Sequence, residues 1–505
     1  MRERIAQVPG ISLRQVLPDA EFIGADDIAA TSCSADSRTC RRGDLFVALP
    51  ASIGPANNGN LQHFAREAIS RGAAALLTDR PVPSCKLPTC YVADVREAYG
   101  HVCQALAGYP GRRLKAIGIT GTNGKTTTGF LTAAILSTAG FQPGLLGTLG
   151  YCDAVTTAEA RWTTPPAPVL AHWLARMAAN GCSHAVMEVS SHALDQSRVA
   201  GVDFDVACVT NVRRDHLDYH GTEHHYRAAK LKLLNHLLPE GFAIVNADDP
   251  VAAGFLSQCD GPVLTIGLDT PAEVTAVPLE QCASEQTFLL HAGDETVPVR
   301  TPLVGEHNIR NCLAAAAIGT VYGIDLPTIV RGLESVACVP GRLERIECGQ
   351  SYHVFVDFAH TPDALTEVLA TLRRITEGRL ICVFGAGGDR DKTKRPMMGR
   401  TVEEAADLAV VTSDNPRSEP PRSIIAEILA GFRRPIEARV IPNRAEAIAW
   451  ALDHAQPGDT VLIAGKGHEQ TQIIGHEHVA FDDREVAKQW LYESTPYPMP
   501  YLASA

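Results

Sequence analysis

The sequence predicts an α/β protein of three domains, and three observations carry that prediction. Short apolar runs alternate with helical stretches along most of the chain, and run after run ends in polar residues. A glycine turn followed by a lysine joins one such run to a helix near residue 120. The 505 residues exceed what one hydrophobic core supports. The segments read as a smaller N-terminal α/β domain over residues 1–110, a central domain over 111–338 built on a parallel sheet, and a C-terminal domain over 339–505 with a Rossmann-like doubly wound sheet.

Composition narrows the function classes. A net charge of −12 with mixed signs argues against nucleic acid or an anionic membrane as partner, while leaving room for a local basic pocket. The 14 cysteines are scattered from Cys33 to Cys382 with no Cys-x-x-Cys pair, which favours reduced thiols and a cytoplasmic setting over a disulfide framework or zinc site. No apolar run approaches the ~18 residues of a membrane span. A soluble, cytoplasmic monomer is the expectation.

In the N-terminal part, Ala35-Asp-Ser-Arg precedes a loop rich in Gly, Pro and Asn; residues 63–71 then read as helix and 73–77 as strand. Ser37, Arg38 and the loop from Gly54 to Gly59 suit a phosphorylated sugar, and suit a solvated turn as well. The cluster Gly108-Tyr-Pro-Gly-Arg112 marks the end of this unit.

The central domain opens with Lys115-Ala-Ile-Gly-Ile-Thr-Gly-Thr-Asn-Gly-Lys-Thr-Thr-Thr128, which reads as strand, phosphate loop and helix. Gly121 and Gly124 let the backbone aim its N–H groups at phosphate oxygens, Lys125 adds a point charge, and Thr126 adds a hydroxyl for Mg²⁺. Ile119 stands where the strict P-loop pattern has its first glycine, so the loop is a variant and the sheet is P-loop ATPase-like. Residues 127–139 read as helix, capped by Gly140. In His184-Ala-Val-Met-Glu-Val-Ser-Ser-His192, Glu188 ends an apolar run and is placed like the carboxylate that supports Mg²⁺ opposite such a loop. The run from Val206 leads to Arg213-Arg-Asp-His-Leu-Asp-Tyr-His-Gly221, dense in groups able to bind metal or phosphate, and equally compatible with structural histidines; a helix carrying Lys230 follows. Asp218-Tyr-His-Gly221 matches a GTPase switch pattern by accident, since no Asn-Lys-x-Asp accompanies it. Gly305-Glu-His-Asn opens a further helix on which Asn308 and Asn311 share a face, suited to an adenine edge or, for Asn308, to capping.

After Cys338-Val-Pro-Gly-Arg342, strand candidates fall at 353–357, 380–384, 408–412 and 460–464, which implies a second doubly wound sheet. Gly385-Ala-Gly-Gly388 lacks the full dinucleotide fingerprint, so a redox cofactor is not expected.

Thr120-Gly-Thr-Asn-Gly-Lys-Thr-Thr, Met187-Glu-Val-Ser-Ser-His, Arg214-Asp-His-Leu-Asp-Tyr-His-Gly, Gly305-Glu-His-Asn, Val356-Asp-Phe-Ala-His-Thr-Pro and Ala464-Gly-Lys-Gly-His-Glu together resemble the Mur ligases, in order and across all three domains. Ser413-Asp-Asn-Pro-Arg417 resembles the branch that adds meso-diaminopimelate to UDP-N-acetylmuramoyl-L-alanyl-D-glutamate in peptidoglycan synthesis. The resemblance implies ATP and Mg²⁺ as cofactors and those two small molecules as substrates, with roles in cell wall biogenesis and cell division. It implies contacts to the uridine nucleotide from Ala35 and Ser37, and to the muramoyl dipeptide from Thr163, Thr164, Ser190, Gln196 and Arg198. It implies ATP contacts from Gly121, Thr122, Asn123, Gly124, Lys125, Thr126, Thr127, Asn308, Asn311, Arg342, Asp357 and His360. Metal would be held by Thr126, Glu188, His216 and Lys230, the last as a carbamate, with Lys125, Glu188, His216 and Lys230 as the catalytic set. Diaminopimelate would be held by Arg390, Asp414, Asn415, Pro416, Arg417, Gly465 and Glu469. Two departures from the family stand out: Asn58-Gly59 replaces its usual Asp-Gly, and Phe358 replaces a common Tyr.

Overall fold

A computed structural model describes residues 10–50, 61–82 and 85–494; the Gly54 to Gly59 loop and Asn58 lie outside the described residues. An N-terminal sheet runs in the order Glu21–Ile23, Thr89–Tyr91, Ala75–Thr78, Leu45–Val47, Cys33–Ser34, and is parallel except at its first strand.

The central sheet has 11 strands. Lys115–Thr120 lies inside it between His184–Glu188 and Phe204–Val209, parallel to both, so an almost wholly apolar run is what this position requires. Ile117 and Ile119 face a layer made by the helices Lys125–Thr138, Glu306–Val321 and Leu326–Glu334. Ala116 faces the opposite layer, where Leu170, Trp173 and Leu174 of helix Ala167–Ala179 pack. The phosphate-loop helix starts at Lys125, two residues earlier than expected, and ends in a Schellman motif: Phe141 N donates to Leu136 O and Gly140 N to Ser137 O.

The sheet is not wholly parallel, as the sequence reading had it. Gly150–Cys152 and Thr157–Ala158 form an antiparallel edge, and Val274–Gln281, Gln286–Ala292 and Glu295–Thr301 form an antiparallel meander at the other side. Short connections force this: the last two strands are joined by Gly293-Asp294, with Gly293 at φ 59°, and a hairpin of that length cannot join parallel strands.

The C-terminal sheet runs Glu344–Arg345, His353–Asp357, Thr460–Ala464, Leu380–Phe384, Leu408–Val411, Arg439–Val440, and is parallel beyond its first strand. Helices Pro362–Ile375, Lys394–Ala405 and Pro421–Leu429 cover one face; Arg444–His454 and Asp483–Ser494 cover the other. All four strand candidates from the sequence are present. Their carboxyl ends face the phosphate loop, so both sheets contribute to one crevice.

Candidate active site

The crevice is a cavity of about 350 Å³ lined from both sheets. Its floor is the phosphate loop. Gly124 has φ 86°, and a Cβ there would lie 2.3 Å from Asn311 Oδ1, so both conformation and space demand glycine. The loop is braced by residues that sequence reasoning gave no role: Asn211 O accepts from Thr122 N and Asn211 Oδ1 from Asn123 N, both at 2.9 Å, while Thr210 Oγ1 donates to Asn123 O. Lys125 Nζ donates to the carbonyls of Gly121 and Thr122. Lys230, fully buried, donates to the same Gly121 carbonyl at 2.6 Å and lies over the Tyr226 ring. Burial and the neighbouring Lys125 push the Lys230 ammonium well below its ordinary pKa, and burial likewise lowers Lys125.

Glu188, at its strand end, accepts from Thr126 Oγ1 at 3.0 Å, Thr148 Oγ1 at 2.9 Å and Thr148 N at 2.8 Å. Arg342 reaches across from the C-terminal half: Nη2 donates to Thr126 Oγ1, its guanidinium lies over Phe358, and its buried Nε has no partner. Asp357 accepts from the amides of Leu343 and Ala359, and burial raises its pKa. His360 Nδ1 donates to Phe358 O. His216 takes a left-handed backbone conformation, φ 52°, ahead of a short helix, and burial presses its pKa down to about 3, which leaves a neutral imidazole at neutral pH. The adjoining Asp215 also lines the cavity; burial opposes its ionisation, but His216, His360 and Lys394 hold its carboxyl below the usual range.

Asn308 is no helix cap, since Gly305 holds that position. Its Nδ2 donates to Val304 O, and its Oδ1 accepts from Asn311 Nδ2 at 3.1 Å, so the two amides bind each other. On the other side of Asn123 and Gly124, a second cavity of about 300 Å³ is lined by His307, Arg310, Asn311, Ile266, Asp269 and Thr270.

Thr163 and Ser190 line the main cavity. Thr164, Gln196 and Arg198 lie behind it as a chain: Thr164 Oγ1 donates to Glu188 O, Arg198 Nη1 to Thr164 O, and Arg198 Nε to Gln196 Oε1. Ala35 and Ser37 are not part of the lining; Ala35 packs on the N-terminal core, and the buried Ser37 hydroxyl donates to Glu67 at 2.6 Å. In the C-terminal half, Arg390, Asp414, Asn415, Arg417, Gly465 and Glu469 all reach the cavity, whereas Pro416 does not. Asp414 is buried, but Arg444 and Lys466 hold its carboxyl ionised. Residues that the sequence reading did not single out, Thr148, Lys394 and Glu367, complete the wall. Lys394 belongs to a visibly basic run, whereas Thr148, beyond a strand end, had no such signal.

Among the described residues there is no ready-made group of three or more His, Cys, Asp or Glu side chains for a metal. A hydroxyl and a carboxylate side by side at Thr126 and Glu188 are hard oxygen donors, which fits Mg²⁺, an ion that completes its shell with water and substrate phosphate.

Residues 119–319 match the Mur ligase middle domain and residues 341–467 the Mur ligase, glutamate ligase domain. The chain belongs to the Mur ligase family. It is 42% identical over 473 residues to UDP-N-acetylmuramoyl-L-alanyl-D-glutamate--2,6-diaminopimelate ligase of Geobacillus kaustophilus, covering 92% of this chain and 95% of the relative. The ligase of the same name from Synechococcus elongatus is also 42% identical, over 482 residues, 92% of this chain and 95% of that one. A solved structure of a UDP-N-acetylmuramoyl-L-alanyl-D-glutamate--2,6-diaminopimelate ligase superposes with TM-score 0.68 at 32% identity over 95% of this chain and 99% of that chain. Folylpolyglutamate synthase of Mycobacterium tuberculosis, complexed with ADP, shares the fold at TM-score 0.61 and 21% identity, but matches 74% of this chain against 92% of its own.

Proposed function

We propose that the chain is an ATP-dependent ligase joining meso-2,6-diaminopimelate to the D-glutamyl γ-carboxylate of UDP-N-acetylmuramoyl-L-alanyl-D-glutamate, for peptidoglycan synthesis in the cytoplasm. The observation that carries this reading is 42% identity across 92% of the chain to a ligase bearing that name.

The chemistry explains the site. A carboxylate is a poor electrophile, so the γ-phosphoryl group of ATP is transferred to a carboxylate oxygen and ADP leaves. The amine then attacks the carbonyl carbon of the acyl phosphate, phosphate departs, and the amine loses a proton. Two polyanions must approach each other, and Lys125, half-buried in the cavity wall, with the loop amides is read as supplying positive potential where their charge gathers. Arg342, Asp357, His360, Asn308 and Asn311 are read as surrounding the nucleotide, with its nucleoside in the second cavity. Mg²⁺, when bound, offsets phosphate charge; Thr126, Glu188 and His216 would hold it. Lys230 is read as a carbamate site: burial disfavours its ammonium, and its free amine adds CO₂ with loss of H⁺ to become an anion suited to a metal. Thr163, Thr164, Ser190, Gln196 and Arg198 are read as holding the muramoyl dipeptide and Ala35 and Ser37 the uridine end, where Ser37 must give up its bond to Glu67. Arg417 and Arg390 offer guanidinium groups to the far carboxylate of diaminopimelate, and Asp414 and Glu469 accept from its ammonium.

Incubation of the purified protein with ATP, the UDP-muramoyl dipeptide and meso-diaminopimelate tests the reading by mass spectrometry. A nucleotide product heavier by one diaminopimelyl residue, with ADP released in equal amount, is expected. ADP release indifferent to both acceptors, with no such product, refutes it.

A further inference from the structure

The turn from Asp414 to Arg417 owes its shape to residues 466–475, which lie some fifty positions further along the chain. Lys466 is entirely buried, and its Nζ donates to Asn415 Oδ1 at 3.1 Å, Glu469 Oε2 at 2.8 Å and the Thr471 carbonyl at 2.7 Å. Those three bonds use every proton of the ammonium. Asn415 makes three side-chain bonds as well. Its Oδ1 accepts from Lys466 and from Ile473 N, and its Nδ2 donates to Glu469 Oε2. One oxygen of Glu469 is therefore taken by Lys466 and Asn415 together, and Oε1 takes part in none of these bonds.

From Thr471 the chain enters a hairpin, Thr471–Ile474 with Glu477–Ala480, that grips the same turn. Gln472 Nε2 donates to Asp414 O at 2.6 Å. Arg417 N donates to Ile473 O, and Gly475 N to Arg417 O. Arg417 sits at φ 49°, a conformation that side chains other than glycine seldom adopt, and these two backbone bonds hold it there. Its Nη1 donates to Gly388 O at 2.8 Å, which fixes the direction of the guanidinium.

We infer that Lys466 is a positioning residue for the incoming amino acid: by binding Asn415, Glu469 and the start of the hairpin at once, it sets the spacing between the free oxygen of Glu469 and the guanidinium of Arg417. A site with that fixed spacing selects an amino acid that carries both an ammonium and a carboxylate at its far end. Asn415, which also reaches the cavity, then acts in addition through Glu469, whose Oε2 it holds. The inference rests on the ligase reading above. Without the ammonium, Asp414 would lose a neighbouring positive charge, Glu469 would lose its cation, and the polar knot would lose the donor that joins its three segments.

The test is Lys466→Met in the full chain, with KM for meso-diaminopimelate, ATP and the UDP-muramoyl dipeptide, kcat, and thermal unfolding measured side by side with the unmutated protein. KM for diaminopimelate should rise by about tenfold or more, and the preference for diaminopimelate over L-lysine should narrow by a similar factor, because the polar pocket loses its geometry. KM for ATP and for the dipeptide should stay within about twofold, since the phosphate loop is untouched. An unchanged KM for diaminopimelate overturns the inference, and so does a uniform loss of all constants together with stability, which is what a merely structural lysine gives. Should Lys466→Met not fold, Gln472→Ala removes one bond to the turn from outside the cavity; a selective rise in the same KM supports the inference and an unchanged one overturns it. Failure of the unmutated protein to use diaminopimelate refutes the ligase reading itself, whereas normal use by both proteins refutes the role of Lys466 alone.

Discussion

The two halves of the cavity partner their basic side chains in different ways. At the phosphate loop, Lys125 and Lys230 share one carbonyl acceptor, Arg342 keeps a buried Nε without a partner, and burial lowers the pKa of all three. Around the Asp414–Arg417 turn, each fully buried basic side chain is paired with a carboxylate. Arg444 holds Asp483 through two 2.7 Å bonds, Arg395 holds Glu419 and Glu427, and Lys466 has its three acceptors. Burial opposes the charge on Arg444, but Asp483 more than offsets it and raises the pKa. A basic side chain held only by carbonyls and hydroxyls has no carboxylate neutralising it and is open to an anion that arrives later; one paired with a carboxylate is scaffold.

That contrast can be broken by substitution. Lys125→Ala should reduce kcat for ADP release by about a hundredfold to a thousandfold, the magnitude of losing one donor to transition-state charge, while the unfolding midpoint stays nearly unchanged. Equal loss of activity and stability would erase the distinction between the halves. Arg444→Met should do the reverse at the level of the fold. It leaves Asp483 buried and unpaired, and should lower the free energy of unfolding by about 3–5 kcal/mol in urea titrations.

A smaller effect sharpens the comparison at a position outside both halves. His184 is buried between Phe141 and Tyr322, its Nε2 lacks a partner, and burial pushes its pKa down to about 4. The neutral ring is favoured in the folded state, so the unfolded chain binds more protons between pH 6.5 and 4. Stability from this residue is complete above pH 6.5 and is lost as pH falls toward 4, by about 3 kcal/mol. Unfolding measured across that range should show a shallower slope for His184→Phe than for the unmutated protein.

Much of this was legible in the sequence because it is local. Strand, glycine turn, lysine and helix lie within fourteen consecutive residues around Gly121, and the strand-end position of Glu188 follows from the apolar run before it. What was not legible is set by distant contacts. Lys230 reads as readily as a surface lysine; its burial under the loop depends on Gly121, more than a hundred positions away. Asn308 and Asn311 were correctly placed on one face, yet periodicity does not tell that their amides bind each other. Lys466 and Asn415 likewise meet across a sheet. The Gly293-Asp294 hairpin was a missed local signal, since its turn residues were in plain view.

The most direct measurement compares kcat/KM for meso-diaminopimelate and L-lysine, with ATP and the UDP-muramoyl dipeptide saturating, in the unmutated protein and in Arg417→Ala. L-Lysine lacks the second carboxylate that Arg417 is proposed to bind, and a site built to pair with a polar group rejects the analogue lacking it by roughly a thousandfold or more. The account predicts a preference of that size in the unmutated protein and its collapse in Arg417→Ala. Comparable use of the two amino acids by the unmutated protein would contradict it.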